Sequence, residues 1–296
     1  MAERLGSASM SIETVFVAGA GLMGHGIAQV FAATGREVSL FEPDLARAEA
    51  GRERIAANLS RSVDKGRLDA GEREATLARI VATDKPARAA VAGLVVEAIF
   101  EDLAVKQAFW AEIDSIAPPD AVFASNTSSI SIDRLAEAVG QVRRSRFVGM
   151  HFFSPVPIMP LVELVRGSAT SEATVETVRA LSADLGKQVI VSADRPGFLV
   201  NRMLMPFLAE AMRALGEGVG TAEDIDTGAR IGLNHPMGPL ELADFIGLDV
   251  CHGIMVVLHE GLGEEQFKPP KVLTDLVEAG NLGQKTGRGF FVYPRS

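Results

Sequence analysis

One cysteine, one tryptophan and one tyrosine are all that the 296 residues contain of those types. The lone thiol, Cys251, excludes an intrachain disulfide framework and every zinc site that needs two or more thiolates, and it fits a reducing cytoplasm. No stretch approaches the ~18 uninterrupted apolar residues of a membrane helix, so the sequence reads as that of a soluble protein. Positive charge is also in short supply. The 29 Lys and Arg stand against 38 Asp and Glu, a net charge of −9, which excludes the broad basic field of a general nucleic-acid or anionic-membrane binder. Fixed-period repeats and low-complexity tracts are missing, which removes solenoids and propellers. The start, Met1 to Ser11, has neither a signal-peptide core nor an Arg-rich amphipathic run and reads as a frayed leader. What is left is an enzyme-sized globule with the length of two domains.

From Thr14 to about Ala193, short β-branched runs alternate with helical patterns. Val15-Phe16-Val17, Val38 to Phe41, Leu94-Val95-Val96, Ala121-Val122-Phe123 and Phe147 to Met150 read as buried strands, and Phe109, Ile113 and Ile116 mark a helix face between two of them. Such alternation predicts an α/β fold with a parallel, doubly wound sheet of Rossmann type and helices on both faces. After Pro196-Gly197 the pattern turns helical: from Phe198 through Leu215, from a capping box at Thr221 to Asp224, and from Pro239 in a first helical turn. The expected division is therefore residues 1–193 as a nucleotide-binding domain and 194–296 as an all-helical C-terminal domain. Met203, Met205 and Met212 in the latter read as core filling rather than a ligand box.

Two segments carry chemistry. Gly19-Ala20-Gly21-Leu22-Met23-Gly24 follows the first strand directly and opens a helix, the arrangement in which glycines permit a tight turn and a pyrophosphate meets the helix N-terminus. The other reading of such a turn is one that binds nothing. Glu42 ends the second strand, eighteen residues past Gly24, where a carboxylate accepts hydrogen bonds from the adenosine ribose and repels a 2′-phosphate, so NAD is favoured over NADP. The second segment runs from His151 to Glu163. Its three prolines, Pro155, Pro157 and Pro160, forbid a continuous helix, so the pair must sit at the ends of two extended segments joined by a loop. An imidazole backed by a carboxylate is the natural base for a substrate hydroxyl; a strand-end His is equally often a satisfied structural residue. His25, His235, His252 and His259 lack such a setting.

The glycine turn, Val95 to Ile99, Ala124 to Ser129, His151 to Glu163, Pro196 to Arg202, Pro236 to Pro239 and Lys285 to Phe291 together resemble the L-3-hydroxyacyl-CoA dehydrogenase family, which includes the bacterial 3-hydroxybutyryl-CoA dehydrogenases. The resemblance covers Thr14 to Tyr293. It implies a Rossmann domain followed by a helical, dimerising domain, and reversible NAD-dependent oxidation of an (S)-3-hydroxyacyl-CoA, with places in fatty-acid β-oxidation and butanoate metabolism. By that resemblance His151 is the catalytic base and Glu163 its partner, and Ser128 and Asn201 position the substrate. Gly19, Gly21, Leu22, Met23, Gly24, Glu42, Glu101, Lys106, Ser128, Ser154 and Lys285 lie around NAD, and Asn58, Lys65 and Ser128 touch the acyl-CoA.

One departure is Ser154, where the family often has Asn; it puts acyl-chain preference in doubt and leaves the reaction type alone. The residues add a second pointer to CoA. Arg47 to Arg67 holds six basic against three acidic residues, a locally positive helix that either attracts phosphates or is a solvated face. Two rival functions follow from the same residues: a dehydrogenase of 3-hydroxy acids not linked to CoA, and a non-catalytic NAD-binding protein.

Overall fold

Strand β1 (Thr14–Ala18) leads through the glycine turn into helix α1 (Leu22–Ala33), and β2 (Glu37–Phe41) leads into a helical pair, α2 (Leu45–Asp64) and α3 (Ala70–Ala78). Then come β3 (Ile80–Thr83), β4 (Leu94–Glu97), α4 (Leu103–Asp114), β5 (Val122–Ser125), the short α5 (Ile132–Ala136) and α6 (Gln141–Arg144), β6 (Phe147–Phe152), β7 (Leu161–Arg166), α7 (Glu172–Asp184) and β8 (Gln188–Ala193). This computed structural model describes residues 12–294, so the leader expected over Met1 to Ser11 lies outside the described residues. The chain divides into two compact units after Asp194, whose carboxylate accepts from Ser131 Oγ and Asp133 N at the start of α5.

In the first unit eight strands form one sheet in the order β3-β2-β1-β4-β5-β6-β7-β8. The order reverses between β1 and β4, and at their carboxyl ends an open α/β sheet offers a crevice for a ligand. Strands β1 to β6 are parallel, but β7 runs antiparallel to β6 and β8 follows β7. The parallel, doubly wound sheet expected from the sequence is present in β1 to β6, and the reversal at β7 is an addition to it. Only residues 153–160 join β6 to β7, and a crossover to a parallel neighbour needs roughly a dozen residues. Val15, Val17, Leu40, Leu94, Val96 and Val148 from the strands bury against Ile27, Phe31 and Ile55 from the helices, each contributing about 1.5–3 kcal/mol of transfer free energy. Phe109 and Ile113 of α4 are buried as expected. Ile116 is not on that helix: α4 ends at Asp114 and Ile116 falls in the turn that Pro118 and Pro119 impose.

The second unit is helical: α8 (Val200–Gly216), α9 (Ala222–Thr227), α10 (Pro239–Ile246), α11 (Leu248–Leu262) and α12 (Lys271–Glu278). Met205 and Met212 fill its core beside Leu208, Leu240 and Met255, whereas Met203, read with them, is 61% exposed. Thr221 caps α9 through Asp224 N, but the Asp224 carboxylate takes the Thr221 hydroxyl instead of the backbone N–H, so the box is half made. Two buried aspartates organise the loops. Asp226 accepts from Leu240 N and Glu241 N, both at 2.9 Å. Asp244 accepts from Phe290 N, Phe291 N and Tyr293 Oη, all at 3.0 Å, and its burial pushes the carboxyl above its ordinary range. A Cβ at Gly238 would lie 2.1 Å from Asp226 Cγ, and one at Gly289 1.9 Å from Asp244 Oδ1. The Pro236 to Pro239 and Lys285 to Phe291 segments therefore close around these carboxylates. Burial pushes the Cys251 thiol up to about 12, which leaves it unreactive. Among the described residues no single helix is long and apolar enough to cross a membrane.

Candidate active site

Gly19 has φ +95°, and a Cβ there would lie 2.3 Å from Ala98 O, so the turn closes against the end of β4 only as glycine. Gly24 is packed as tightly: its Cβ would lie 1.7 Å from Gly19 O. Gly21 differs, since nothing stands within 4 Å of where its Cβ would project. It is the N-cap of α1 and offers no side chain to the helix N–H groups. Open space before an uncapped helix N-terminus is what a dinucleotide pyrophosphate requires, and the residues fit NAD in this respect. Leu22 beside it is exposed, while Met23 packs on the core. Glu42 follows β2 and is held in the same crevice, its Oε1 accepting from Ala20 N at 2.8 Å.

At the carboxyl ends of β4 and β5 lies a chain of charge. Glu97, wholly buried, accepts from Ser125 Oγ at 2.7 Å and Ile99 N at 3.0 Å, and pairs closely with the buried ammonium of Lys106. Lys106 also lies 3.1 Å from Glu101 Oε2. Glu101 Oε1 in turn accepts from Thr127 Oγ1 at 2.5 Å, Ser128 N at 3.0 Å and Ser129 N at 3.2 Å. Burial raises the Glu97 carboxyl despite Lys106; for Glu101 burial is outweighed by the Lys106 charge and the Thr127 and Ser128 donors, which hold it below its ordinary range.

His151 and Glu163 are direct partners across the antiparallel pair β6 and β7. His151 Nδ1 lies 3.1 Å from Glu163 Oε2, and Ser128 Oγ lies 3.1 Å from His151 Nε2. Both His151 and Glu163 are buried. A carboxylate only accepts, so Nδ1 carries the proton and Nε2 presents a lone pair on the Ser128 side. Asn126 Oδ1 accepts from Phe152 N at 2.9 Å, tying the β5 end to the residue after the histidine. The loop between the strands is gripped by Lys187, whose buried Nζ donates to Val156 O at 2.7 Å and Met159 O at 2.8 Å. Ser154 sits exposed on that loop.

The sequence-predicted residues thus fall into groups. Gly19 to Gly24 with Glu42, Glu101 with Lys106, and Ser128 with His151 and Glu163 all stand at the carboxyl ends of β1, β2, β4, β5 and β6. Asn58 and Lys65 lie on α2 and at its C-cap, Lys65 exposed and Asn58 Oδ1 taken by Arg61 Nη2 at 2.5 Å. The basic character of α2 is partly spent on the fold, since Arg52 donates to Ile80 O and Leu77 O, and Arg54 to Ala20 O. Asn201 and Lys285 belong to the second unit. Asn201 is buried at the start of α8, and Lys285 pairs with Asp249, helping to hold that carboxyl low against its burial. Sequence reasoning missed Glu97, Ser125, Asn126 and Lys187. Glu97 carried a signal, a charge closing an otherwise apolar strand with a lysine nine residues on. Lys187 carried none.

Comparison with known proteins gives two family matches: the 3-hydroxyacyl-CoA dehydrogenase NAD binding domain over residues 14–195, and the 3-hydroxyacyl-CoA dehydrogenase C-terminal domain over residues 197–293. The chain is 49% identical over 282 residues to a 3-hydroxybutyryl-CoA dehydrogenase of Bradyrhizobium diazoefficiens, covering 95% of this chain and 96% of that one. Among solved structures, FadB2 of M. tuberculosis matches with a TM-score of 0.93 at 45% identity, over 96% of this chain and 100% of that one. The (S)-3-hydroxybutyryl-CoA dehydrogenase PaaH1 of Ralstonia eutropha matches with a TM-score of 0.93 at 43% identity, again over 96% and 100%.

Proposed function

The chain belongs to the 3-hydroxyacyl-CoA dehydrogenase family, an NAD-dependent oxidoreductase, and from that membership we propose that His151 is its general base and (S)-3-hydroxybutyryl-CoA a substrate. The observation that carries the reading is the row Ser128, His151, Glu163, with Nδ1 3.1 Å from the Glu163 carboxylate and Nε2 3.1 Å from the Ser128 hydroxyl, a geometry that favours the neutral imidazole protonated on Nδ1. NAD supplies the hydride acceptor for C3. His151 Nε2 takes the C3 hydroxyl proton, and Glu163 holds the tautomer and stabilises the imidazolium that results. Ser128 and Asn201 orient the oxygen. In the reverse direction the imidazolium returns the proton. Gly19, Gly21, Leu22, Met23 and Gly24, with Glu42, Glu101, Lys106, Ser154 and Lys285, hold the cofactor. The deciding assay is NADH absorbance with acetoacetyl-CoA against acetoacetate. Turnover of the thioester alone supports the proposal, turnover of the free acid transfers the site to CoA-free substrates, and no turnover with bound NADH makes the protein a binding module.

Glu42 is expected to set cofactor choice. NADP should be a poor substitute, and Glu42→Ala should narrow the gap mainly by raising KM for NAD roughly 10- to 100-fold, since hydrogen bonds to a charged acceptor contribute about 1.5–3 kcal/mol. Equal kcat/KM for NAD and NADP in the unmodified enzyme overturns this.

Asn58 and Lys65 are proposed to meet the CoA phosphates. Lys65→Ala should raise KM for the thioester about 2- to 5-fold at low ionic strength, with the difference shrinking as salt screens the exposed charge. An unchanged KM at low salt makes α2 a solvated face.

The reading also includes a homodimer formed through the second unit, in the cytoplasm. Ile231, Leu233 and Phe245 expose apolar side chains there, where a monomer gains nothing from them. Light scattering should report two chains, and Ile231→Asp with Phe245→Asp should shift the mass to one. The reduced, buried Cys251 fits the compartment.

A further inference from the structure

Ser128 meets His151 through a hydroxyl on a turn, and a turn is a weak platform for an atom that must be held to within about 0.5 Å. Residues 126–129 leave β5 and are not part of the sheet. Asn126 Oδ1 ties their start to Phe152 N, and two further routes reach Thr127 to Ser129, both beginning at one carboxylate.

The first is direct. Glu97 and Ser125 are register partners at the ends of β4 and β5; Glu97 Oε2 accepts a hydrogen bond from the Ser125 hydroxyl at 2.7 Å, which turns the Ser125 lone pairs to Thr127 N at 3.3 Å. The second passes through charge. Glu97 Oε1 holds the Lys106 ammonium, Lys106 holds Glu101, and Glu101 Oε1 gathers Thr127 Oγ1, Ser128 N, Ser129 N and Ser129 Oγ. Thr127 Oγ1 then accepts from Ile130 N at 2.9 Å, closing the turn. Lys106 is one cation between two carboxylates, one buried and one 39% exposed. A lysine on four rotatable bonds would otherwise follow the exposed partner.

We propose that Glu97 is a positioning residue that sets Ser128 Oγ against His151 Nε2, through Ser125 on one side of the turn and through Lys106 and Glu101 on the other. Glu97 acts at a distance from the imidazole; with the cofactor saturating, its effect on kcat is to fix where that hydroxyl stands. The inference rests on the roles given above to His151 and Ser128.

The test is a double-mutant cycle on kcat at saturating NADH and acetoacetyl-CoA, using Glu97→Gln and Ser128→Ala. Glutamine keeps the shape and an acceptor for Ser125 while giving up the charge on Lys106. Ser128→Ala should lower kcat about 10- to 100-fold, the scale of one lost hydrogen bond to a group that becomes charged. Glu97→Gln should lower kcat about 10-fold with KM for the thioester moved less than about 3-fold, and should add less than about 2-fold once Ser128 is alanine, because coupled residues lose their effect together. Equal factors in both backgrounds overturn the inference and leave the reading of His151 and Ser128 standing. A Ser128→Ala enzyme at full kcat removes the inference together with the positioning role of Ser128. If Glu97→Gln does not fold, by circular dichroism, Ser125→Ala enters the same cycle with the same criterion, since it cuts the direct route with the loss of one hydroxyl.

Discussion

Replacing His151 by alanine is expected to lower kcat by about 10²–10⁴-fold, the usual contribution of a positioned general base. The variant should fold, because its backbone remains paired with Glu163 in the β6 and β7 ladder and with Asn126 through Phe152 N, and a fluorescence titration should show NADH affinity close to that of the parent. Glu163→Gln should lower kcat as well. The amide can accept from Nδ1–H in nearly the same place, but the imidazolium loses a buried counter-charge that no solvent replaces. Because the pair acts as one unit, the double variant should be little worse than His151→Ala alone. Fully multiplicative losses, or a His151→Ala enzyme within a few-fold of the parent, would place the base elsewhere.

The second large effect separates glycines that look alike. Gly24→Ala puts a methyl 1.7 Å from Gly19 O, and both partners are backbone, so neither can swing aside. It should lower Tm by about 5–10 °C, the size expected when 2–3 kcal/mol of overpacking falls on a chain of this length, and should abolish NADH binding by distorting the turn. Gly21→Ala meets nothing within 4 Å. Its Tm should change by less than about 2 °C, yet NADH should bind at least roughly 10-fold more weakly, because the methyl enters the space the pyrophosphate needs. Thermal melts and fluorescence titrations of the two variants give the comparison directly. A Gly21→Ala protein that binds NADH like the parent means the cofactor does not approach there.

The pieces legible in the sequence are those whose physics is local. Gly19 to Gly24 announces a turn by its own lack of side chains, and the prolines between His151 and Glu163 force extended segments that bring the pair together. Edge strands are poorly legible for the same reason. β3 and β8 are half exposed, and their short apolar runs, Ile80-Val81-Ala82 and Val189-Ile190-Val191, do not reveal by themselves that they close the two edges of the sheet. The direction of β7 is set by the length of a loop, which no residue type encodes. Charge is ambiguous in a sequence: the basic residues of α2 read either as a phosphate patch or as a solvated face, and the folded chain adds a third use, since Arg52 and Arg54 satisfy carbonyls of distant segments. Glu97 and Lys187 act through partners far along the chain, and only the folded sheet makes those partners neighbours.

The ladder pairing of His151 with Glu163 has a consequence for how such an enzyme diverges. Cross-strand spacing holds directly opposed residues at a fixed separation whatever follows in the connection, so the distance between the imidazole proposed as base and its carboxylate belongs to the sheet and not to residues 153–160. That loop can exchange side chains, as at Ser154, or be grafted from a relative with another chain-length preference, while the proton-transfer pair stays tuned. The strand bearing the histidine has no such licence: one residue inserted into β6 before His151 turns every side chain beyond it to the opposite face. Novelty in substrate is thus open to lineages that alter the connection, and closed to those that alter the register.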